Sequence, residues 1–282
     1  MKDKICLITG GSAGIGLATA LGLAKLGATI IIASRDHQRG VKAKEFIKEQ
    51  TKNNAVEYLP VDLASFSSIN QMVEDFNSRY GKLDVLINNA GVYYSKLSFT
   101  KDNIEMQLGV NYLAHFLLTY LLLESLKGAA HLRIINVTSR FHFQGRIHID
   151  NLFLRNNYHG LRAYCQSKLA NVLFTYELAE KLKGTNTTVN CLHPGTVRTK
   201  IGNSNATGLY PFFCNFCKPF LISPQKGAKT SIYLASSDEV REVTGRYFQK
   251  CKPVRSSKLS YNKEIALKLW KESETLTGIR FL

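Results

Sequence analysis

The sequence predicts an α/β fold, a doubly wound parallel sheet of about seven strands with helices on both faces. Three observations predict it: short runs that are apolar throughout, helical stretches that alternate with those runs, and a glycine cluster where the first run ends. A half-buried strand alternates apolar and polar residues. A strand without that alternation is buried on both faces, as helices bury a parallel sheet.

The elements follow in order. Residues 5–9 form an apolar run that stops at glycines, the first strand. Residues 15–26 place Ile15, Ala18, Leu21 and Leu26 on one helical face. Residues 29–33 are β-branched and read as a second strand, followed by a charged helix at 39–52. A third strand is expected at 56–61, a helix at 65–79, and a fourth strand at 85–88. Residues 104–126 read as one long helix with an apolar face, and 133–139 as a fifth strand. A helix at 161–183, a strand at 188–192, a helix at 225–236 and a last strand at 246–248 complete the pattern. No linker divides the chain, so residues 1–282 are expected to form a single domain. The longest irregular stretch ends near residue 223. It carries Leu209, Tyr210, Phe212, Phe213, Phe216 and Phe220, too aromatic for a solvated loop. Residues from about 200 to 223 therefore read as a folded flap. It could wall a lipophilic pocket, rest on a membrane surface or contact a second subunit.

Composition narrows the function. The chain is 45% hydrophobic and 21% charged, which gives a sizeable core and argues against disorder. The net charge of +16 admits nucleic acid, anionic lipid or an anionic cofactor as partner. The lysines are scattered and no basic motif interleaves with aromatics, so no nucleic-acid partner is expected. Solubility, or peripheral contact with anionic lipid, accounts for the charge. Of six cysteines, Cys6 and Cys191 sit in apolar strands as small hydrophobes. Cys214 and Cys217 form a lone C-x-x-C with no second pair to complete a zinc site, so no metal is expected. Only Met1 to Lys4 precede the first apolar run, so no signal peptide is expected. The apolar stretch at 112–123 is interrupted by His115 and falls short of the roughly twenty residues of a spanning helix. The expected location is cytoplasmic, or peripheral to an intracellular membrane.

The first strand runs into Thr9-Gly10-Gly11-Ser12-Ala13-Gly14-Ile15-Gly16. Gly10 allows the tight turn, Gly14 lets the backbone approach a pyrophosphate, and Gly16 lets helix and strand pack closely. The helix that follows aims its amides and the positive end of its dipole at the phosphates. This is a dinucleotide site of Rossmann type, in the strand–turn–helix setting such a site needs. The second strand decides which dinucleotide. A carboxylate at its end selects the free 2′-hydroxyl of NAD, and a cation selects the 2′-phosphate of NADP. Ala33-Ser34 is followed by Arg35, whose guanidinium can grip a phosphate. Asp36 is the rival candidate, or the N-cap of the next helix. NADP(H) is the expected cofactor.

Tyr164 and Lys168 form a Y-x-x-x-K whose members share a helix face. A phenol titrates near 10 when free, and a neighbouring cation favours the phenolate, so Lys168 is expected to lower that value toward the range of an acid/base catalyst. Ser139 stands at the end of the fifth strand, where open α/β sheets place their sites. Its hydroxyl can meet a substrate oxygen, with Thr138 the local rival.

T-G-x-x-x-G-x-G, Asn88-Asn89-Ala90-Gly91, Tyr164-x-x-x-Lys168 and Pro194-Gly195-x-Val197-x-Thr199 together resemble the short-chain dehydrogenase/reductase family, over most of the chain from Lys4 to about Ser237. The resemblance implies an oxidoreductase that moves hydride between a nicotinamide and an alcohol or carbonyl. It implies that Tyr164, Lys168, Ser139 and Asn111 make up its catalytic tetrad. It adds Gly10, Ser12, Gly14, Ile15 and Gly16, Asp62 and Leu63, Asn89 and Gly91, and Pro194, Val197 and Thr199 as cofactor contacts. His193 reads as structural, since the tyrosine already serves as acid. The stretch 133–199, with Asn111-Tyr112-Leu113-Ala114-His115, is most similar to the NADP-linked retinol dehydrogenase branch. That implies a small lipophilic carbonyl or alcohol such as retinal or retinol. The membrane anchor of that branch is not seen at the front of this sequence. A broad carbonyl or steroid reductase is the alternative enzyme, and a non-catalytic NADP-binding sensor the alternative of another class. The family further implies homo-oligomerisation.

Overall fold

The computed structural model describes residues 1–125, 131–196 and 222–281. Its strands are β1 (Ile5–Thr9), β2 (Thr29–Ser34), β3 (Val56–Pro60), β4 (Val85–Asn88), β5 (Leu132–Val137), β6 (Thr187–His193), β7 (Arg246–Gln249) and β8 (Lys252–Val254). They form one sheet in the order β3-β2-β1-β4-β5-β6-β7-β8. The first seven run parallel, and β8 folds back antiparallel on β7. The sheet is thus the doubly wound one expected, with one strand more than the sequence suggested. β8 is three exposed residues with a proline at its centre, too short to show a period.

The helices are α1 (Gly14–Lys25), α2 (His37–Thr51), α3 (Phe66–Arg79), α4 (Met106–Leu108), α5 (Ala114–Ser125), α6 (Gly160–Lys181), α7 (Pro224–Ser236) and α8 (Lys263–Thr277). Successive strand residues point to opposite faces, so each central strand feeds two cores. Leu7, Ile31, Leu86, Ile134 and Val189 join the core under α3, α5 and α6. Cys6, Ile8, Ile30, Ile32, Val85, Ile87 and Ile135 join the other, under α1, α2 and α7. This double burial is why these strands read as unbroken apolar runs.

Two departures from the expected helices matter. The single helix expected at 104–126 is α4, then a π-helical turn (Gly109–Leu113), then α5. The stretch Met106–Glu124 is long and apolar enough to cross a membrane by length and composition, but most of it is buried here as a core element. The second departure is α8, which the sequence reading did not reach. Asn262 caps its start and Gly278, at φ 70°, closes its end. Ala266, Leu269 and Trp270 dock on the α5/α6 layer, where Trp270 meets Phe116 edge-on at 5.1 Å.

β1 lies beside β4 although β2 follows it in sequence, so the strand order reverses between them and opens a crevice at their C-terminal ends. Thr9 ties the crevice together. Its Oγ1 accepts from the backbone N–H of Asn89 at 2.9 Å and of Ala90 at 3.0 Å, and meets His115 Nε2 at 2.9 Å. His115 Nδ1 faces the Asn111 carbonyl at 3.3 Å, so Nδ1 carries the proton and Nε2 accepts from the threonine. This neutral tautomer suits its burial. Desolvation, and next the charge of Lys168, push the His115 pKa down to about 3.

A group with a lowered folded pKa stays unprotonated in the fold while the unfolded chain binds a proton, so stability falls with pH through that window. For His115 the window runs from its ordinary value of 6.5 down to about 3. His115→Gln, which cannot titrate, should flatten the decline of Tm between pH 7 and pH 5 in thermal melts. Parallel declines for both proteins would show that His115 is not the group responsible.

Candidate active site

The glycine loop is built by close approach. A Cβ on Gly16 would stand 2.3 Å from the Gly10 carbonyl oxygen and 2.6 Å from Asn89 Nδ2, so no other residue fits. Gly10 and Gly14 take φ of 66° and 55°, in the left-handed region that glycine enters at little cost. α2, α3, α7 and α8 each begin with a side chain that accepts from an early N–H, but α1 begins at Ala13 with no side-chain cap and no acid in its first turn. Among the described residues no side chain caps its leading amides, which fits an anionic pyrophosphate there. Ser12, Gly14 and Ile15 line this rim and are partly exposed.

Asn89 holds the opposite wall. Its Nδ2 donates to the Thr9 carbonyl at 2.8 Å, locking the β4 loop to the end of β1. At the end of β2, Arg35 is exposed, and no ion pair engages it among the described residues. Asp36 caps α2, accepting from Arg39 N–H at 2.9 Å, and is paired with the Arg39 guanidinium at 3.4 Å. The rival carboxylate is thus spent on the helix. Asp62 accepts from Ala64 N–H at 3.1 Å and pairs with Lys101 at 3.3 Å, while Leu63 beside it is buried.

The four expected catalytic residues come together. Ser139 follows β5 and caps a short 3-10 turn (Arg140–Gln144), accepting from Phe141 N–H at 3.3 Å. Its hydroxyl faces the Tyr164 phenol closely enough to favour the phenolate. Lys168 Nζ lies 5.6 Å from the Tyr164 ring centroid and donates to the Val137 carbonyl at 3.3 Å. Gly91 sits against both remaining groups: a Cβ there would be 3.3 Å from Asn111 Oδ1 and 3.4 Å from Lys168 Nζ. The Asn111 amide is fully used. Oδ1 accepts from Val92 N–H at 2.7 Å, and Nδ2 donates to the Val92 carbonyl at 3.1 Å and to Ser167 Oγ at 3.0 Å. It fastens the loop after β4 to the catalytic helix. Thr138, the local rival of Ser139, is turned inward, donating to the Lys168 carbonyl at 2.7 Å.

Electrostatics correct one expectation. The phenol is raised, not lowered. Burial dominates and pushes Tyr164 up to about 12, only partly offset by the Ser139 hydroxyl. Burial also pushes Lys168 down to about 8. The protein's own groups thus hold the phenol protonated at neutral pH.

A model of the short chain dehydrogenase family matches residues 4–209. The chain belongs to this family. It is 42% identical over 295 residues to human "Retinol dehydrogenase 14", covering 99% of this chain and 88% of that one. It is 42% identical over 281 residues to human "Retinol dehydrogenase 12", covering 100% and 88%. Among solved structures, an uncharacterized protein from Mycobacterium paratuberculosis superposes with a TM-score of 0.81 at 32% identity, covering 100% of this chain and 96% of that one. The Pseudomonas aeruginosa RhlG/NADP complex, at 24% identity, TM-score 0.69 and coverage of 88% and 94%, shares the fold. As a short-chain dehydrogenase, the protein is of an oxidoreductase family whose fold binds a nicotinamide cofactor.

Of the remaining expected contacts, Pro194 follows β6 and is partly buried, and Gly195 beside it has φ 92°. Val197, Thr199, the C-x-x-C pair and the flap up to residue 221 lie outside the described residues. His193 Nδ1 accepts from Arg140 N–H at 3.2 Å. The sequence reading passed over Tyr93 and Phe141, whose rings meet Tyr164 edge-on at 6.0 and 5.9 Å. Their position two residues after the Asn-Asn-Ala-Gly run and two after Ser139 was the available signal.

A Cβ at Gly16 is accommodated only if the Gly10 backbone shifts, so Gly16→Ala should distort the loop and bind the nicotinamide dinucleotide at least roughly tenfold more weakly, equivalent to about 1.4 kcal/mol, with circular dichroism checking that the variant is folded. Titration by cofactor fluorescence measures it, and unchanged affinity would remove the loop from the cofactor site.

Proposed function

We propose that the protein is an NADP(H)-dependent oxidoreductase that interconverts an alcohol and an aldehyde or ketone, with a lipophilic substrate of the retinal/retinol kind. The observation that carries the reading is the convergence of Ser139, Tyr164, Lys168 and Asn111 at the crevice beside the glycine loop. A sensor that only binds the dinucleotide has no need of this group. NADP(H) is supported by exposed Arg35 at the end of β2 and by the commitment of Asp36 to capping. The lipophilic substrate is supported by Tyr93 and Phe141 against the catalytic ring, and by the retinol dehydrogenases to which the chain is similar.

Bound NADPH supplies the hydride. The residues of this chain do the rest. The Tyr164 phenol donates its proton to the substrate oxygen as charge develops there, and the Ser139 hydroxyl hydrogen-bonds the same oxygen. Lys168 stands ready to bond the cofactor ribose, and Asn111 holds the loop after β4 in place. A phenol kept protonated by burial suits the reductive direction.

Two measurements test this. Absorbance at 340 nm should fall when NADPH meets all-trans-retinal, Tyr164→Phe should lose at least roughly a thousandfold in kcat, and Arg35→Asp should weaken NADPH relative to NADH by about tenfold or more. Turnover confined to small carbonyls would move the substrate to the broad-reductase reading, and tight NADPH binding without turnover would favour the sensor. The second test is pH. Lys168 is charged below its lowered pKa of about 8 and neutral above it, while the phenol keeps its proton to about 12. Reductive kcat/KM, which reports the free enzyme, should therefore hold below pH 8 and decline above it. A flat profile to pH 10 would count against the charged lysine.

A further inference from the structure

The peptide unit that follows Ser139 is held at both ends by imidazoles. Its carbonyl, on Ser139, accepts from His142 Nδ1 at 2.7 Å. Its N–H, on Arg140, donates to His193 Nδ1 at 3.2 Å. The two rings hold opposite tautomers. His142 Nε2 accepts from Ser257 N–H at 3.1 Å, so its proton sits on Nδ1, the atom facing Ser139. His193 presents a bare Nδ1 and so carries its proton on Nε2.

Both rings are out of solvent, His142 fully and His193 to within 7%. Burial lowers the pKa of each, and at His193 the neighbouring His142 and then Arg140 lower it further. His142 is also wedged between Phe143 and Tyr247, at ring distances of 4.2 and 4.8 Å. Two units upstream, the Val137–Thr138 peptide is fixed in another way: Lys168 Nζ donates to its carbonyl at 3.3 Å and its N–H donates to the Leu192 carbonyl at 2.9 Å. The unit after Ser139 opens the turn whose Phe141 N–H donates to Ser139 Oγ at 3.3 Å, so fixing its plane fixes the contact that aims the serine hydroxyl. It has left the sheet, and its local turn supplies only the His142 N–H, 3.1 Å from the same carbonyl.

We propose that His142 and His193 are positioning residues for Ser139. They form a clamp that fixes the plane of the Ser139–Arg140 peptide and through it the direction of the serine hydroxyl. The clamp ties the catalytic strand end to two distant segments, the end of β6 through His193 and the Ser257 turn through His142. The inference rests on the oxidoreductase reading above, since it assigns a purpose to the serine's orientation.

The opposite tautomers give the test. Asparagine places its side-chain oxygen or nitrogen near the Nδ1 position of histidine, and glutamine places one near Nε2. His193→Asn keeps an acceptor for Arg140 N–H, and His193→Leu removes it. His142→Asn keeps the donor to Ser139 and loses the Ser257 contact, while His142→Gln does the reverse. With NADPH and the best carbonyl found for the wild type, His193→Leu and His142→Gln should each lower kcat about tenfold or more. KM for NADPH should stay within twofold, and His193→Asn and His142→Asn should recover most of the rate. The Arg140 amide should exchange hydrogen faster in His193→Leu and return to slow exchange in His193→Asn, with Tm recorded for all four. A purely structural role would lower Tm in step with kcat and make no distinction between asparagine and glutamine at 142, which would overturn the clamp. Faster Arg140 exchange with unchanged kcat would overturn it too. A wild type that reduces no carbonyl overturns the oxidoreductase reading itself, a result distinct from active variants.

Discussion

The site depends on one oxygen atom. Thr9 Oγ1 takes two N–H groups from the loop after β4 and gives its proton to His115. Where the strand order reverses, neighbouring loops leave the sheet in opposite directions, and no ladder hydrogen bond joins them. The threonine hydroxyl makes that join. It fixes the distance between the glycine loop and the Asn89–Gly91 turn, which are the two walls of the crevice. Through His115 it also fixes the π-turn, and with it Asn111. Asn111 then holds Val92 and Ser167, so the constraint passes from β1 to the catalytic helix through four side chains and no mobile link.

A second polar seam runs across the sheet just below. Asn88 Nδ2 donates to Asn136 Oδ1 at 2.8 Å, and Asn136 Nδ2 donates to Thr175 Oγ1 at 2.9 Å. Buried amides so paired tolerate little slippage, because a one-residue shift of register would leave each unsatisfied in an apolar core. The seam aligns the ends of β4 and β5 with α6. Ser139 and Tyr164, 25 positions apart in the chain, therefore arrive facing one another.

Much of this was legible in the sequence, for physical reasons. Double burial writes unbroken apolar strands, and close backbone approach writes glycine at 10 and 16. Asp36 could be read as a cap or a ribose ligand, because both roles need a carboxylate after a strand; only the bond from Arg39 N–H separates them. The tyrosine's proton affinity was misjudged because charge proximity is visible in a Y-x-x-x-K and burial is not. His142 and His193 looked like ordinary residues, because a contact to backbone leaves no mark on the partner's identity. The helix at Lys263–Thr277 had a readable period in Ile265, Ala266, Leu269 and Trp270, and it was missed because the motifs that carry the family likeness end before it, although the likeness itself runs through it.

The π-turn at Gly109–Leu113 carries one residue more than a straight helix would hold. Each helical residue turns the chain by about 100°. Winding the same residues as a straight helix would therefore rotate everything after the turn by about that angle. His115 would leave Thr9, and Phe116 would leave the aromatic core around Trp270. The bulge absorbs the extra residue and keeps the two flanking segments in phase, so a chain one residue shorter at this point loses the turn and still presents His115 and Phe116 to the same neighbours.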